Sequence, residues 1–507
     1  MLGFGHLALG QTFNKRLTLA VLLITISQFN FGFDQQGFAA TQAMDSFAKQ
    51  FGEWSEKKQA YALDPVWVSF FNGFNYLGQA VGVVIGSYVS KRFGRRMCMF
   101  SMSLWACLAA TIVITSKTAD QILVARVLNY IYIGMELAVV PVFQSEITPK
   151  HARGFIVGTY QISLFIGGLV INCIARGTGG LPGREAYMIP WGLFYVVPTF
   201  VACCIWFIPE SPRWLVLKDR GEEALSCLRE LRAGKFTDEQ IEEEYQGIVA
   251  SVSREHNKGT FFDIFKPQHK WRTIVVVGAN FFLQSTGQIF TSIYGALFVK
   301  SLGTINPFTV TIMIAVVNTC TSLLAMVLTD KFQLLVGACI QVSALMTMGS
   351  LGTVSNPSDQ IKAGIVAMMV VFTFGYALGW APTAHILSAE IPALTVRDMT
   401  YRSASVLNIA TQFVVSFSLP YLLDEPYAAL GSRVGFIFGS ISVCSIVFAF
   451  FCVPDVSGRS LEEVDSLFAS DVPLRRFKSV KLDDVDHMVD DKAAEEGSSI
   501  HIDAPKS

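Results

Sequence analysis

The chain has 507 residues, of which 52% are hydrophobic and 16% charged, and its mean hydropathy is +0.45. Soluble domains carry about 25% charged residues, and a soluble chain this apolar would expose large sticky patches. The composition therefore excludes a soluble enzyme and points to a polytopic membrane protein, while the formal net charge of −1 singles out no partner and gives no reason to expect nucleic acid. Forty glycines fit the same reading, because Gly lets helix backbones approach closely in lipid.

The ten cysteines are scattered, and most of them, such as Cys107, Cys203, Cys204 and Cys444, sit inside apolar runs. No pair has metal or redox spacing, so they read as small core residues, and neither a metal nor a cofactor is expected. The first apolar run starts near Leu17 and is too long for the hydrophobic region of a cleavable signal.

A membrane span needs about 20 apolar residues. Runs of that kind fall at 17–40, 66–90, 97–116, 121–143, 155–175 and 189–208, and again at 273–298, 308–329, 333–354, 361–388, 401–423 and 433–453. The expected fold is all-α, with twelve transmembrane helices in two six-helix halves, 17–208 and 273–453, after a short N-terminus at 1–16. Between the halves, the charged stretch 209–272 places apolar and charged residues at helical spacing. Two to four short amphipathic helices are expected there, lying under the bundle and bracing both halves. The tail, 454–507, turns acidic at Asp483, Asp484, Asp486, Asp490 and Asp491 and is expected to be disordered after about residue 470.

Lys91, Arg92, Arg95 and Arg96 follow span 2, Lys150 and Arg153 follow span 4, and Arg397 and Arg402 follow span 10. The positive-inside bias then puts these loops, the insert and both termini in the cytoplasm.

One pattern occurs twice. Residues 143–154 read Phe-Gln-Ser-Glu-Ile-Thr-Pro-Lys-His-Ala-Arg-Gly, and residues 387–398 read Leu-Ser-Ala-Glu-Ile-Pro-Ala-Leu-Thr-Val-Arg-Asp. In each, an Arg follows the Glu by 7 residues (146 to 153, 390 to 397), and the glutamates are 244 residues apart (390 − 146). A repeat of about half the chain set among apolar spans points to a transporter of two parallel halves.

Further local patterns carry a family resemblance: Gly-Ser-Tyr-Val-Ser-Lys-Arg-Phe-Gly-Arg-Arg at 86–96, Pro-Glu-Ser-Pro-Arg-Trp-Leu at 209–215, and Val-Pro-Asp-Val-Ser-Gly-Arg-Ser-Leu-Glu-Glu-Val-Asp-Ser-Leu-Phe at 453–468. In order and spacing they resemble the sugar porter family of the major facilitator superfamily, from about residue 20 to 468. The Arg-Asp-Met-Thr at 397–400 looks most like fungal hexose and α-glucoside permeases. The resemblance implies a secondary transporter, not an enzyme, functional as a monomer in the plasma membrane.

Ionisable residues inside spans are functional by default, and three stand out: Asp34, Arg126 and His385. By resemblance, Asp34 accepts the proton and Arg126 is its counter-charge. A sugar site needs amides, which donate and accept, and an aromatic face. Gln161, Gln284, Gln288, Asn318 and Asn408 stand at family-matching places, with Trp380 as a stacking face and His385 as a further contact. The charged helix ends Arg95, Arg96, Glu146, Arg153, Glu210, Arg213, Glu390 and Arg397 are expected to form a cytoplasmic gate, pairing between the halves when that side is shut.

Four departures from the family pattern mark an altered pocket or loop. Leu283 stands where the family has the first of two glutamines, and Ile289 where it has an asparagine. His385 replaces an aromatic, and Asp330-Lys-Phe-Gln-Leu-Leu lacks the Gly-Arg-Arg found at 94–96. The expected function is proton-coupled import of a sugar or related hydroxylated molecule, with export of a secondary metabolite and non-transporting sugar sensing as alternatives.

Overall fold

The computed structural model describes residues 13–56, 59–149, 152–254, 261–303, 305–328, 331–393 and 395–455, with five further positions between 464 and 477. Residues 1–12, the Asp330 loop where Gly-Arg-Arg is missing, and the expected disordered tail beyond Phe477 lie outside the described residues.

The chain is a bundle of long helices, with one small hairpin pairing Glu53–Ser55 with Ala60–Ala62. Eleven helical segments among the described residues are long and apolar enough to cross a bilayer. The twelfth, span 2, runs as Pro65–Gly73 and Asn75–Phe93. It is the least apolar because Asn75, Gln79 and three glycines occupy its buried face. Span 1 is Lys15–Gln42, started by the Asn14 side chain, which accepts from the Leu17 amide. Spans 3, 4 and 5 are Arg95–Thr115, Ala119–Ile147 and Arg153–Thr178, and span 6 is Glu185–Phe207. In the second half, span 7 opens with Pro267–Ser285 and continues as Gln288–Ser292. Spans 8 and 9 are Pro307–Leu328 and Lys331–Leu351. Span 10 breaks at Gly379 into Asp359–Leu378 and Trp380–Glu390, and spans 11 and 12 are Arg397–Leu423 and Val434–Cys452.

Small residues set the helix crossings, as lipid offers no hydrophobic drive between helices. Spans 2 and 4 meet back to back: a methyl on Gly82 would fall on the Ile131 carbonyl, and one on Gly134 on the Gln79 carbonyl. Spans 1 and 5 cross in the same way at Gly32 and Gly167. These contacts bring span 1 and span 4, which carry the charged residues, within side-chain reach.

The insert occupies one end of the bundle. Helix Gly221–Arg232 buries Ala224, Leu228 and Leu231. Its Arg232 is fully buried, donating to both Glu244 carboxylate oxygens (2.9 and 2.8 Å) and to the Ile147 carbonyl (2.9 Å). Asn14 donates to the Glu230 and Ala233 carbonyls. These two anchors seat the insert helices against the first half. The later turn, Phe261–Phe265, packs Ile264 on Ala393 and Val396 of the second half.

Contacts between the halves gather at the far end, opposite the insert. Phe70 and Phe74 of span 2 stack on Phe413 and Phe417 of span 11, with ring centroids 5.9–6.1 Å apart. The Ser416 hydroxyl donates to the Asn72 carbonyl (2.8 Å), and Lys300 reaches the Asp45 carboxylate (2.6 Å) and the Ala43 carbonyl (2.8 Å).

Gly82→Val drives two methyls into the span 4 backbone. Overpacking of this kind costs roughly 1–3 kcal/mol or more. We expect a much lower yield of monodisperse protein on size-exclusion chromatography in detergent, with Gly192→Ala, which is exposed and meets nothing within 4 Å, as the surface control.

Candidate functional site

Asp34 lies on the inner face of span 1 with 2% of its surface exposed. Arg126, Asn129, Tyr132 and Glu136 of span 4 fall within about 120° of arc at 3.6 residues per turn, and three of them converge on its carboxylate. Asn129 donates to both oxygens (2.8 and 2.7 Å), the Tyr132 hydroxyl donates at 3.1 Å, and Arg126 makes one longer contact at 3.4 Å. The guanidinium is held mainly by rings, 3.9 Å from the Phe38 centroid and 4.8 Å from that of Tyr130. A charge buried with one loose counter-charge depends on its neutral hydrogen-bond partners. Asn129 and Tyr132 supply that support here.

Beside Asp34, the two halves enclose a cavity of about 190 Å³, room for a small organic molecule rather than one water. Span 7 unwinds at its wall. Gly287 adopts φ +105° between the two helical pieces, a conformation that L side chains rarely adopt. Gln284 before the break and Gln288 after it both line the cavity.

Of the expected substrate residues, Gln161, Gln284, Gln288, Asn318, His385 and Asn408 line this one cavity. Trp380 does not. It is fully buried with its ring 5.8 Å from Phe282, outside the lining of the cavity. Several polar atoms on the wall have no hydrogen-bond partner among the described residues: Gln288 Oε1, Asn318 Oδ1, Asn172 Oδ1 and the Tyr160 hydroxyl. Others are pre-set, as Asn408 donates to Asn280 Oδ1 (3.3 Å) and accepts from Gln284 (3.4 Å).

At the insert end, Arg95 grips Glu146 with two bonds of 2.8 Å, and the Ser211 hydroxyl donates to the same carboxylate (2.6 Å). Glu210 caps span 3, accepting from the Arg95 and Arg96 amides (3.0 and 3.1 Å). Burial pushes the Glu210 carboxyl above its ordinary value, against the opposing pull of those amides and that of Ser211. Arg96 donates to the Trp206 carbonyl (3.0 Å), and Arg213 is half-buried in helix Pro212–Leu217. In the second half, burial raises the Glu390 carboxyl and the Arg397 charge draws it part of the way back. The pairs described here lie within each half, in a state where the far end is joined. The Arg153 side chain lies outside the described residues.

The family profile described as "Sugar (and other) transporter" matches residues 20–468. The chain belongs to the sugar transporter family. It is 28% identical to the high glucose sensor RGT2 of Saccharomyces cerevisiae, over 90% of this chain and 61% of that protein's length. It is 27% identical to the high-affinity fructose transporter ght6 of Schizosaccharomyces pombe, over 90% of this chain and 88% of that one. Among solved structures, the inward-open xylose transporter XylE of E. coli superposes with a TM-score of 0.72 at 19% identity, covering 89% of this chain and 99% of the other. That likeness carries the twelve-helix major facilitator fold.

Several residues of this cavity are not among those expected from the sequence. Gln35 and Gln36 follow Asp34 directly, Gln79 comes from span 2, and Gln412 stands one turn after Asn408. Amides inside an apolar span are the available signal, but which face points inward depends on helix phase. Asn129 and Tyr132 were hidden in the same way. Glu136 was not hidden, as an acid within an apolar run is visible in any sequence.

Replacing Asn129 with Leu removes both short bonds to Asp34 and strands a buried acceptor, at a cost of about 1–3 kcal/mol. Thermal unfolding in detergent should show a lowered midpoint. A midpoint equal to wild type means that Asp34 is satisfied without Asn129.

Proposed function

We propose that this chain imports a sugar or a related polyhydroxylated small molecule by alternating access, as a monomer in the plasma membrane, in symport with protons. The observation that carries this reading is the convergence of unpartnered amide and hydroxyl atoms from both halves on one cavity beside a buried, hydrogen-bonded aspartate. Such atoms match a ligand dense in hydroxyls, because each is costly to bury until a partner arrives. In this reading the insert end is cytoplasmic, with both termini on that side, and the joined far end faces out.

The coupling runs through span 1. While Asp34 is ionised, its bonds to Asn129, Tyr132 and Arg126 fasten span 1 to span 4. A proton on Asp34 removes the charge those donors serve and loosens the tie. Gln35 and Gln36, the next two residues, are on the cavity wall, so the sugar senses the change directly. Gln161, Gln284, Gln288, Asn318, His385 and Asn408 would hold hydroxyls, and Trp380, next to Ala381 of the wall and packed on Phe282, would brace it. Arg95, Arg96, Glu146, Arg153, Glu210, Arg213, Glu390 and Arg397 would be the cytoplasmic gate, releasing their present partners as the two halves close on that side. One pH unit supplies about 1.4 kcal/mol per proton and 100 mV about 2.3 kcal/mol, together enough for between two and three decades of accumulation.

The likeness to a glucose sensor favours a second reading, sugar sensing without transport. Uptake of labelled sugar in a yeast lacking hexose transporters separates the two. Symport predicts accumulation that a protonophore abolishes, and sensing predicts no flux.

Asp34→Asn should still equilibrate sugar but lose concentrative uptake, a drop of about two decades at full driving force. Accumulation equal to wild type would sink the proton role. Gln161→Ala and Asn318→Ala should each raise the half-saturation concentration about tenfold, the worth of roughly one good hydrogen bond.

A further inference from the structure

We propose that Glu136 is a second proton-carrying carboxylate, which takes up the proton that Asp34 gives up and hands it on toward the insert end. This inference rests on the proton-coupled reading above and adds the route.

Glu136 is 1% exposed in the middle of span 4. Neither of its carboxylate oxygens has a hydrogen-bond partner among the described residues. The contrast with Asp34 is sharp: Asp34 accepts from three side chains and Glu136 accepts from none. A carboxylate without donors in a membrane interior costs several kcal/mol, whereas the neutral acid costs far less. With one proton to share, the pair therefore keeps it on Glu136 and leaves the charge on Asp34 in this conformation.

The surroundings make Glu136 a way-station rather than a structural pair. Asp34 of span 1 is the charged group acting on it. The titratable neighbours are Tyr132, one turn back on the same helix, and Tyr160 from span 5. Beyond Tyr160 stands Tyr401 of span 11. The four residues from Tyr132 to Glu136 advance about 6 Å along the helix toward the insert end. Tyr132 already touches Asp34 (3.1 Å), and Tyr160, whose hydroxyl is unpartnered, lines the cavity. Polar side chains continue past Glu136 between spans 1 and 4, where Gln28 donates to Gln144 (2.8 Å).

The step balances simply. The O–H bond of protonated Asp34 breaks, an O–H bond forms on Glu136, and one negative charge moves from Glu136 to Asp34. The pair carries the same total charge before and after. Asp34, once ionised, regains its three donors, which pulls the proton forward. The Glu136 O–H bond then breaks, the proton passing to water that enters the cavity from the insert end beside Tyr160, and Glu136 is left as the carboxylate that accepts the next proton.

The test uses the full chain in proteoliposomes, with fructose or glucose as the probe, whichever the yeast assay shows to be carried. Infrared difference spectra should contain a protonated carboxylic C=O band that disappears in Glu136→Gln and persists in Asp34→Asn. A trapped pH dye should show sugar-driven proton entry, slowed about a hundredfold in Glu136→Gln, the scale of a lost proton-transfer group, and partly restored in Glu136→Asp. That restoration excludes misfolding as the cause. An unchanged spectrum and proton-to-sugar ratio in Glu136→Gln overturn this inference and leave the symport reading standing. Sugar entry without any proton movement in wild type overturns both.

Discussion

The structure depends on the cost of keeping a carboxylate inside a membrane. Asp34 is affordable there only because span 4 turns Asn129, Tyr132 and Arg126 toward it. For those side chains to reach, spans 1, 2, 4 and 5 must run close together. Gly32, Gly82, Gly134 and Gly167 remove every side-chain atom at the crossings. The acid and the glycines are thus one constraint seen from two sides: without close backbones the charge is stranded, and without the charge nothing demands that span 4 present that polar face.

The cavity follows a different logic. Its wall is polar but under-bonded, and the unpaired atoms of Gln288, Asn318, Asn172 and Tyr160 keep it ready for a partner rather than folded on itself. Gln284 and Gln288, four residues apart, would share one face even of a continuous helix, so the break at Gly287 is not what brings both to the wall. The aspartate and the cavity communicate through adjacency in sequence, since Gln35 and Gln36 join the tie on one side to the wall on the other.

Much of this is legible in the sequence, for physical reasons. Twelve apolar runs must be helices, because lipid satisfies no backbone group. Polar ends extend those helices beyond the apolar stretches, so span 7 begins at Pro267 and not at residue 273. The Glu–Arg repeat and the lone Asp34 are visible as charges in unusual places. Side-chain partners are less legible, because facing depends on rotation of one helix against another. Trp380 therefore looks like a wall residue but packs on Phe282 outside the lining, and Asn129 looks like an interhelical filler and is the nearest partner of Asp34. The insert helices show the same limit. Their amphipathic pattern fixes that they dock, while the Arg232–Ile147 bond decides on which half.

The closure at the far end is built mostly of phenyl rings, Phe70, Phe74, Phe413 and Phe417, with the exposed Lys300–Asp45 contact at its edge. Dissolved ions screen exposed charges over about 10 Å or less but leave ring stacking untouched. A cell carried from dilute water into brine would thus keep the same seal on that face, and chilling, which weakens apolar association, is the stress that would loosen it.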